Sequence, residues 1–348
     1  MSTKANNTKD STNSTNSFAN KKVLVTGGAG FVGSHIVDRL VSLGANVIVY
    51  DNFSTGRIEF LKNAQSPEHK NRITIVKDDL LNLDGLTKAM TDVYFVFHLA
   101  ANADVKNNVN EPTKCLYQNT IATNNVLEAM RINNVKKMIF SSTGSVYGES
   151  TVIPTPEVTP ITHQTSLYGA SKLACEGLIQ AYCESFGMQA IIFRFVSLLG
   201  ERYTHGHIFD FYKKLLKDPT NLEVLGDGTQ KKSYLLVNDC MDAIFLAIAH
   251  MHNSEKTIDK KVETYNLGTP EYCEIKDSIK WITQALNVNP TLQFTGGNRG
   301  WIGDNPFIFL DTNKIAKLGW KPKKTIQQAV IETVEYIKNN EWILKRDK

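Results

Sequence analysis

Little in this sequence invites a metal, a membrane or a nucleic acid. The 348 residues include five cysteines (Cys115, Cys175, Cys183, Cys240, Cys273), odd in number, widely spaced and never in a CxxC pair. Neither a zinc site nor a disulfide framework fits such a set, and the five read as reduced thiols. No apolar run approaches the length of a bilayer crossing, and the N-terminus carries no hydrophobic signal segment. A cytoplasmic protein without a membrane partner is therefore expected. Neither sign of charge dominates: 39 Lys and Arg stand against 35 Asp and Glu, a net +4. The basic residues are scattered, which argues against a nucleic-acid partner and is compatible with a small anionic ligand. His205 and His207 have no third ligand in reach, so no metal is expected.

What is present has a clear rhythm. Residues 1–20 (MSTKANNTKDSTNSTNSFAN) hold almost nothing to bury and are expected to form a disordered tail. From Lys21 onward, short β-branched runs alternate with amphipathic stretches: VLVTG then VGSHIVDRLVSLG, VIVYD, ITIVKDD, VYFVFHLAA then ATNNVLEAMRINN, MIFSST then SKLACEGLIQAYCESFG, and IIFRFVSLLG. Continuous apolar strands separated by helices predict an α/β fold with a parallel sheet covered on both faces. After about Phe195 the alternation loosens into loops such as GDGTQ, closed by the helical pattern TIQQAVIETVEYI.

Four stretches carry chemistry. In VLVTGGAGFVGSH, Gly27, Gly30 and Gly33 lie between a strand and an amphipathic helix. Glycines there permit a tight turn and close approach of backbone to a diphosphate at a helix N-terminus. Asp51 ends the next strand, where a carboxylate meets the adenosine ribose hydroxyls, which favours NAD over NADP. Tyr168 and Lys172 are four apart at the start of a helix from about Ser166 and share one face. A lysine cation beside a phenol is expected to lower the phenol's pKa and make it a usable base. Ser141, Ser142 and Thr143 end a central strand, where ligands bind in open α/β sheets, and Thr143 is placed to pass a proton to Tyr168. Tyr147, without a lysine partner in sequence, reads as packing or pocket lining.

TGGAGFVG, DNFSTG, DDL, HLAA, SSTGSVYG, YGASK, GDGTQKKSY and RGWIGD succeed one another in order from about Lys21 to about Tyr336. In this the chain resembles the extended short-chain dehydrogenase/reductases that act on nucleotide sugars. The resemblance implies a Rossmann-type doubly wound parallel sheet with a smaller C-terminal α/β substrate domain. The NAD-binding domain would span 21–195 with a returning segment near 236–268; residues 196–235 and 269–348 would bind the nucleotide sugar. It implies that Phe31 and Val32 touch the cofactor diphosphate, Asp51 and Asn52 the adenosine ribose, and Asp79 and Leu80 the adenine, with Ser54 and Gly56 also binding the cofactor. Leu99, Ala100, Ala101, Asn119 and Ser141 would complete the cofactor wall. Arg299 and Asp304 match the family's diphosphate-binding arginine and ribose-binding aspartate. Lys232 stands where an arginine is usual and Ser197 where an asparagine is usual. Ile308, four places after Asp304, would border the sugar's C2 substituent. A homodimer built on the helices after Asn119 and Tyr168 is also implied; LACEGLIQAYCESF has more apolar positions than one buried face requires.

Members of this family share hydride removal from sugar C4 and differ in the fate of the keto sugar. Those that eliminate water resemble one another in an Asp-Glu pair after the strand-end threonine, where this chain has Gly144 and Ser145. The decarboxylases' glutamate and the reductive epimerases' cysteine are missing too. The resemblance therefore implies reversible C4 epimerisation of a UDP-sugar through a 4-keto intermediate, catalysed by Thr143, Tyr168 and Lys172. UDP-glucose and UDP-galactose lead, with the N-acetylglucosamine and glucuronate analogues behind them. A non-catalytic NAD sensor is the alternative of another class.

Overall fold

The computed structural model describes residues 17–105, 107–253, 261–301, 303–305 and 307–345. Six strands keep to the expected alternation: β1 (Lys22–Thr26), β2 (Asn46–Asp51), β3 (Ile73–Lys77), β4 (Phe95–His98), β5 (Lys137–Thr143) and β6 (Gln189–Phe195). A seventh strand, Val262–Leu267, joins their sheet beyond β6. The spatial order is Val262–Leu267, β6, β5, β4, β1, β2, β3, every neighbouring pair parallel. This is the Rossmann-like α/β sheet that the alternation predicts.

Alternate side chains serve opposite faces of the sheet. Val23, Val25, Val47, Val49, Phe95 and Phe97 enter one apolar layer, and Leu24, Ile48, Tyr50, Val96 and Phe140 the other. Both layers are covered by helices, which is why these strands read as unbroken apolar runs. A third apolar cluster lies among the helices His207–Lys217, Ile275–Leu286 and Ile326–Asn339 and the strand Asn221–Val224.

The chain builds β1 to β3 outward on one side, then returns to lay β4 against β1 on the other. Strand order reverses there, and a reversal of this kind opens a crevice beyond the carboxyl ends of the strands.

One expectation is overturned at the N-terminal edge. Residues 1–16 of the expected tail lie outside the described residues, but residues 17–20 form a turn. Phe18 is 1% exposed. Its ring sits edge-on to Phe95 at 5.5 Å and near Phe97 at 5.9 Å. A single aromatic in a polar tract finds enough apolar surface to be ordered.

Candidate active site

The crevice begins with the glycine turn between β1 and the helix Phe31–Ser42, whose N-cap is Gly30. Gly27 takes φ +66°, and a Cβ there would lie 2.8 Å from the Ala100 backbone. A Cβ on Gly33 would lie 2.0 Å from the Gly27 carbonyl oxygen. The turn is therefore bare backbone at a helix N-terminus, the surface against which a dinucleotide's diphosphate fits. Phe31 and Val32 open that helix, half-buried.

Asp51 ends β2 and is 8% exposed. Its two oxygens accept from the Ala29 N–H at 2.9 Å and the Phe53 N–H at 2.8 Å. Burial pushes this carboxyl above its usual range, and the two backbone donors pull it back. A Cβ on Gly56 would strike Asp51, so the loop beyond Ser54 closes over the carboxylate. Asn52 donates to Asp79 at 2.7 Å and accepts from the Ser54 N–H. Leu80 is packed into the second apolar layer, with its carbonyl accepting from Asn125.

Leu99, Ala100 and Ala101 continue from β4 along the crevice, and the first two N–H groups donate to Thr26 Oγ1, each at 3.2 Å. With its lone pairs occupied, the Thr26 hydroxyl donates to His98 Nδ1 at 2.7 Å. His98 Nε2–H then donates to Thr123 Oγ1 at 2.9 Å, which fixes the tautomer. Burial, reinforced by the Lys172 charge, holds His98 neutral with a pKa lowered to about 3. Asn119 lies in a π-helical stretch, Leu116–Ile121. Its amide is taken up by the Asn102 backbone and the Ser171 hydroxyl, so it braces the crevice rather than offering a free group to it.

At the end of β5 the predicted catalytic residues meet. Ser166 caps the helix Leu167–Phe186 by accepting from the Gly169 N–H, and its first turn lies against the strand end. Lys172 Nζ donates to the Ser141 carbonyl at 2.7 Å and lies 4.5 Å from the Phe140 ring centroid. Thr143 acts on the Tyr168 phenol; its hydroxyl donates to Ser145 Oγ and accepts from the Ser145 N–H.

The expected lowering of the Tyr168 pKa is not what the fold produces. Burial raises it well above the ordinary phenol value; the nearby Cys115 and Cys175 add to this, and only the Thr143 bond opposes it. Burial also lowers Lys172 to about 8. Both groups lose more by leaving water than they gain from neighbours.

Tyr147 packs, as expected: it is 2% exposed, donates to Asn266 Oδ1 at 2.8 Å and lies under the Arg194 guanidinium at 4.7 Å.

On the far side, Lys232 ion-pairs with Asp304 at 2.8 Å, and Arg299 donates to the Asp304 carbonyl at 2.8 Å. These three, predicted from two separate stretches, form one cluster. Ile308 is joined to it because its strand pairs in register with Lys231–Lys232. A Cβ on Gly144 would lie 2.9 Å from Ile308 Cγ2, so Ile308 leans on the turn after β5. Ser197 is exposed at the start of the strand Ser197–Leu199, whose pairing is with Tyr234–Leu236 rather than with the strands that carry Lys232 and Ile308.

Several partners were not visible in sequence. Glu149 pairs with Arg299 at 2.6 Å, and Asn305 donates to the Gly148 carbonyl. Glu176 and Arg194 form a buried pair behind β5. Only Glu176 left a trace, standing one helical turn after Lys172. His207 is stacked on Tyr234 at 4.8 Å and bonded to Ser278 at 2.7 Å.

A glycine cradle and a strand-end carboxylate, with a tyrosine, lysine and threonine gathered at the next switch-side strand, define an NAD-dependent oxidoreductive site. Residues 23–268 match the NAD dependent epimerase/dehydratase family, and the chain belongs to that family. Its cofactor is NAD. Within the family it stands with the UDP-sugar 4-epimerases. The UDP-glucose 4-epimerase of Mycolicibacterium smegmatis is 29% identical over 91% of this chain and 99% of its own length. A solved UDP-galactose 4-epimerase is 35% identical with a TM-score of 0.81, covering 92% of this chain and 100% of the other. The UDP-N-acetylglucosamine 4-epimerase from Methanobrevibacter ruminantium M1, solved with UDP-N-acetylmuramic acid, is 30% identical with a TM-score of 0.79, over 92% and 99%. Among the described residues no helix is long and apolar enough to cross a membrane.

Proposed function

We propose that this chain interconverts UDP-glucose and UDP-galactose and keeps its NAD through the cycle. The observation that carries the reading is the strand end: Tyr168, Thr143 and Lys172 meet there, and the adjoining turn Gly144–Tyr147 holds no acid for an elimination. NAD, when bound, would supply the hydride acceptor and donor for sugar C4 and a positive charge in the crevice. Burial alone keeps the Tyr168 phenol protonated, so that added charge is what makes it a usable base. Tyr168 then takes the O4 proton, directly or through Thr143, and gives it back to O4 when the hydride returns to C4, while Lys172 holds the strand end in place.

Gly27 to Gly33 would hold the cofactor diphosphate, Asp51 and Asn52 its adenosine ribose, and Asp79 and Leu80 its adenine. Lys232 and Arg299 take the substrate diphosphate and Asp304 the uridine ribose. Binding exchanges Glu149, the partner of Arg299, for phosphate oxygens. Residues 21–195 with the returning strand form the cofactor domain, and 196–235 with 269–348 the substrate domain. The N-acetylated pair is a second substrate class, favoured by Ile308 being smaller than an aromatic gate.

The test is to incubate the purified protein with UDP-glucose, UDP-N-acetylglucosamine and UDP-glucuronate, without added NAD, and to resolve the products chromatographically. Turnover of UDP-glucose is expected, with dinucleotide released on denaturation. No turnover, or strict dependence on added NADP, rejects the reading.

A further inference from the structure

On the helix Leu167–Phe186, Tyr168, Lys172 and Glu176 stand at i, i+4 and i+8 and line one stripe. That stripe meets three consecutive residues of β5. Thr143 is the hydroxyl that acts on the Tyr168 phenol, the Ser141 carbonyl accepts from Lys172 at 2.7 Å, and the Ser142 hydroxyl donates to Glu176 Oε1 at 2.5 Å. Glu176 is 1% exposed. From the neighbouring strand Arg194 grips it in two bonds, Nε to Oε1 at 3.0 Å and Nη2 to Oε2 at 2.6 Å. Arg194 is the register partner of Ser142, so two adjacent strands hold the carboxylate at one level of the sheet.

Taking two charges out of water is costly, and an apolar pair of similar volume often serves stability as well. A stabilising role alone therefore does not account for this pair, whereas its place, one turn beyond the lysine, does. We propose that Glu176, clamped by Arg194 and Ser142, is a positioning residue for the proposed epimerase reaction. It is the third rung that sets the helix against β5, so that Lys172 and Tyr168 meet Ser141 and Thr143. The role rests on the epimerase function proposed for this site.

Glu176 also acts on Lys172 by charge. Lys172 is faced by Cys175 and Glu176 from its own helix, by Cys115 from the preceding helical segment, and by His98 from β4. Burial keeps both thiols and Tyr168 protonated, and it keeps His98 neutral. Glu176 is the carboxylate among these neighbours and, after Cys175, favours the ammonium form of Lys172 against the pull of burial.

The decisive variant is Glu176→Gln, measured for kcat, KM and the ionisation of Lys172. That ionisation is tracked by the carbon-13 shift of Cε in lysine-labelled protein and assigned with Lys172→Met. The expected result is a kcat lower by about 10- to 100-fold, KM within about threefold, and a Lys172 midpoint lower by about one pH unit. Ser142→Ala, which leaves the ion pair intact, should lower kcat without moving Lys172. Should the lone Arg194 unfold Glu176→Gln, Glu176→Met with Arg194→Met removes both charges, and a lower kcat is again expected. Wild-type kcat in Ser142→Ala and in either folded Glu176 variant overturns the proposal. The Lys172 titration needs no substrate, so a protein that epimerises no UDP-sugar yet shows the shift rejects the epimerase function and supports the rung.

Discussion

The Tyr147 phenol is committed to Asn266 beneath the Arg194 guanidinium, whereas the Tyr168 phenol faces Thr143. Removing each oxygen therefore has a different consequence. Tyr168→Phe should retain fold and bound NAD and lose kcat by about 100-fold or more, the scale of a lost general base. Tyr147→Phe should keep kcat near wild type and lose about 1 kcal/mol of stability, one buried hydrogen bond, in urea unfolding. The reverse pattern rejects the assignment. Ile308 sits against Gly144, and Ile308→Tyr should lower kcat/KM for UDP-N-acetylglucosamine by about tenfold relative to UDP-glucose, because a hydroxyl at C2 needs less room than an N-acetyl group. Equal loss on both sugars would make Ile308 a packing residue. Residue types and spacing reveal Tyr168 and Lys172 because both sit within one helical turn. They cannot reveal the Tyr168 pKa direction, since burial depends on chain segments far away in sequence.

At the scale of elements, the helical path from Pro112 to Ile132 and the helix Leu167–Phe186 leave Leu116, Tyr117, Ile121, Ile132, Leu167 and Phe186 exposed. Apolar side chains at such density along two helices are what an interface between copies uses. A homodimer is expected by light scattering at micromolar concentration, and Leu116→Glu with Tyr117→Glu should shift it to monomer. A wild-type monomer rejects the interface. The glycine turn is legible in the sequence because its strand, turn and helix are contiguous. The Glu176–Arg194 clamp is not, because the two residues are joined only when β5 and β6 pair. Phe18 escapes a sequence reading for a related reason: its neighbours along the chain are polar, and its partners come from β4.

For the whole molecule, two buried histidines and the half-buried His207 set the acid limit. Burial, with the Arg202, Lys172 and Lys232 charges adding to it, lowers His35 to about 4 and His98 and His207 to about 3. Above pH 6.5 folded and unfolded chains both carry them neutral. Below it the unfolded chain binds protons that the folded chain refuses, so stability declines as pH falls from 6.5 towards 4. Between pH 7 and 5.5 the urea-unfolding free energy should drop by about 1 kcal/mol per histidine. A flat profile over that window would show that these rings are not held neutral.

The anchoring of Phe18 has a practical side. Its contact with Phe95 lies where β4 begins, while Tyr168, Lys172 and the glycine turn gather where strands end. Anything attached ahead of residue 17 is thus joined to the sheet at the end opposite the crevice. An enzyme tethered to a bead or fused to a carrier by that route should keep its mouth turned to the surrounding solution.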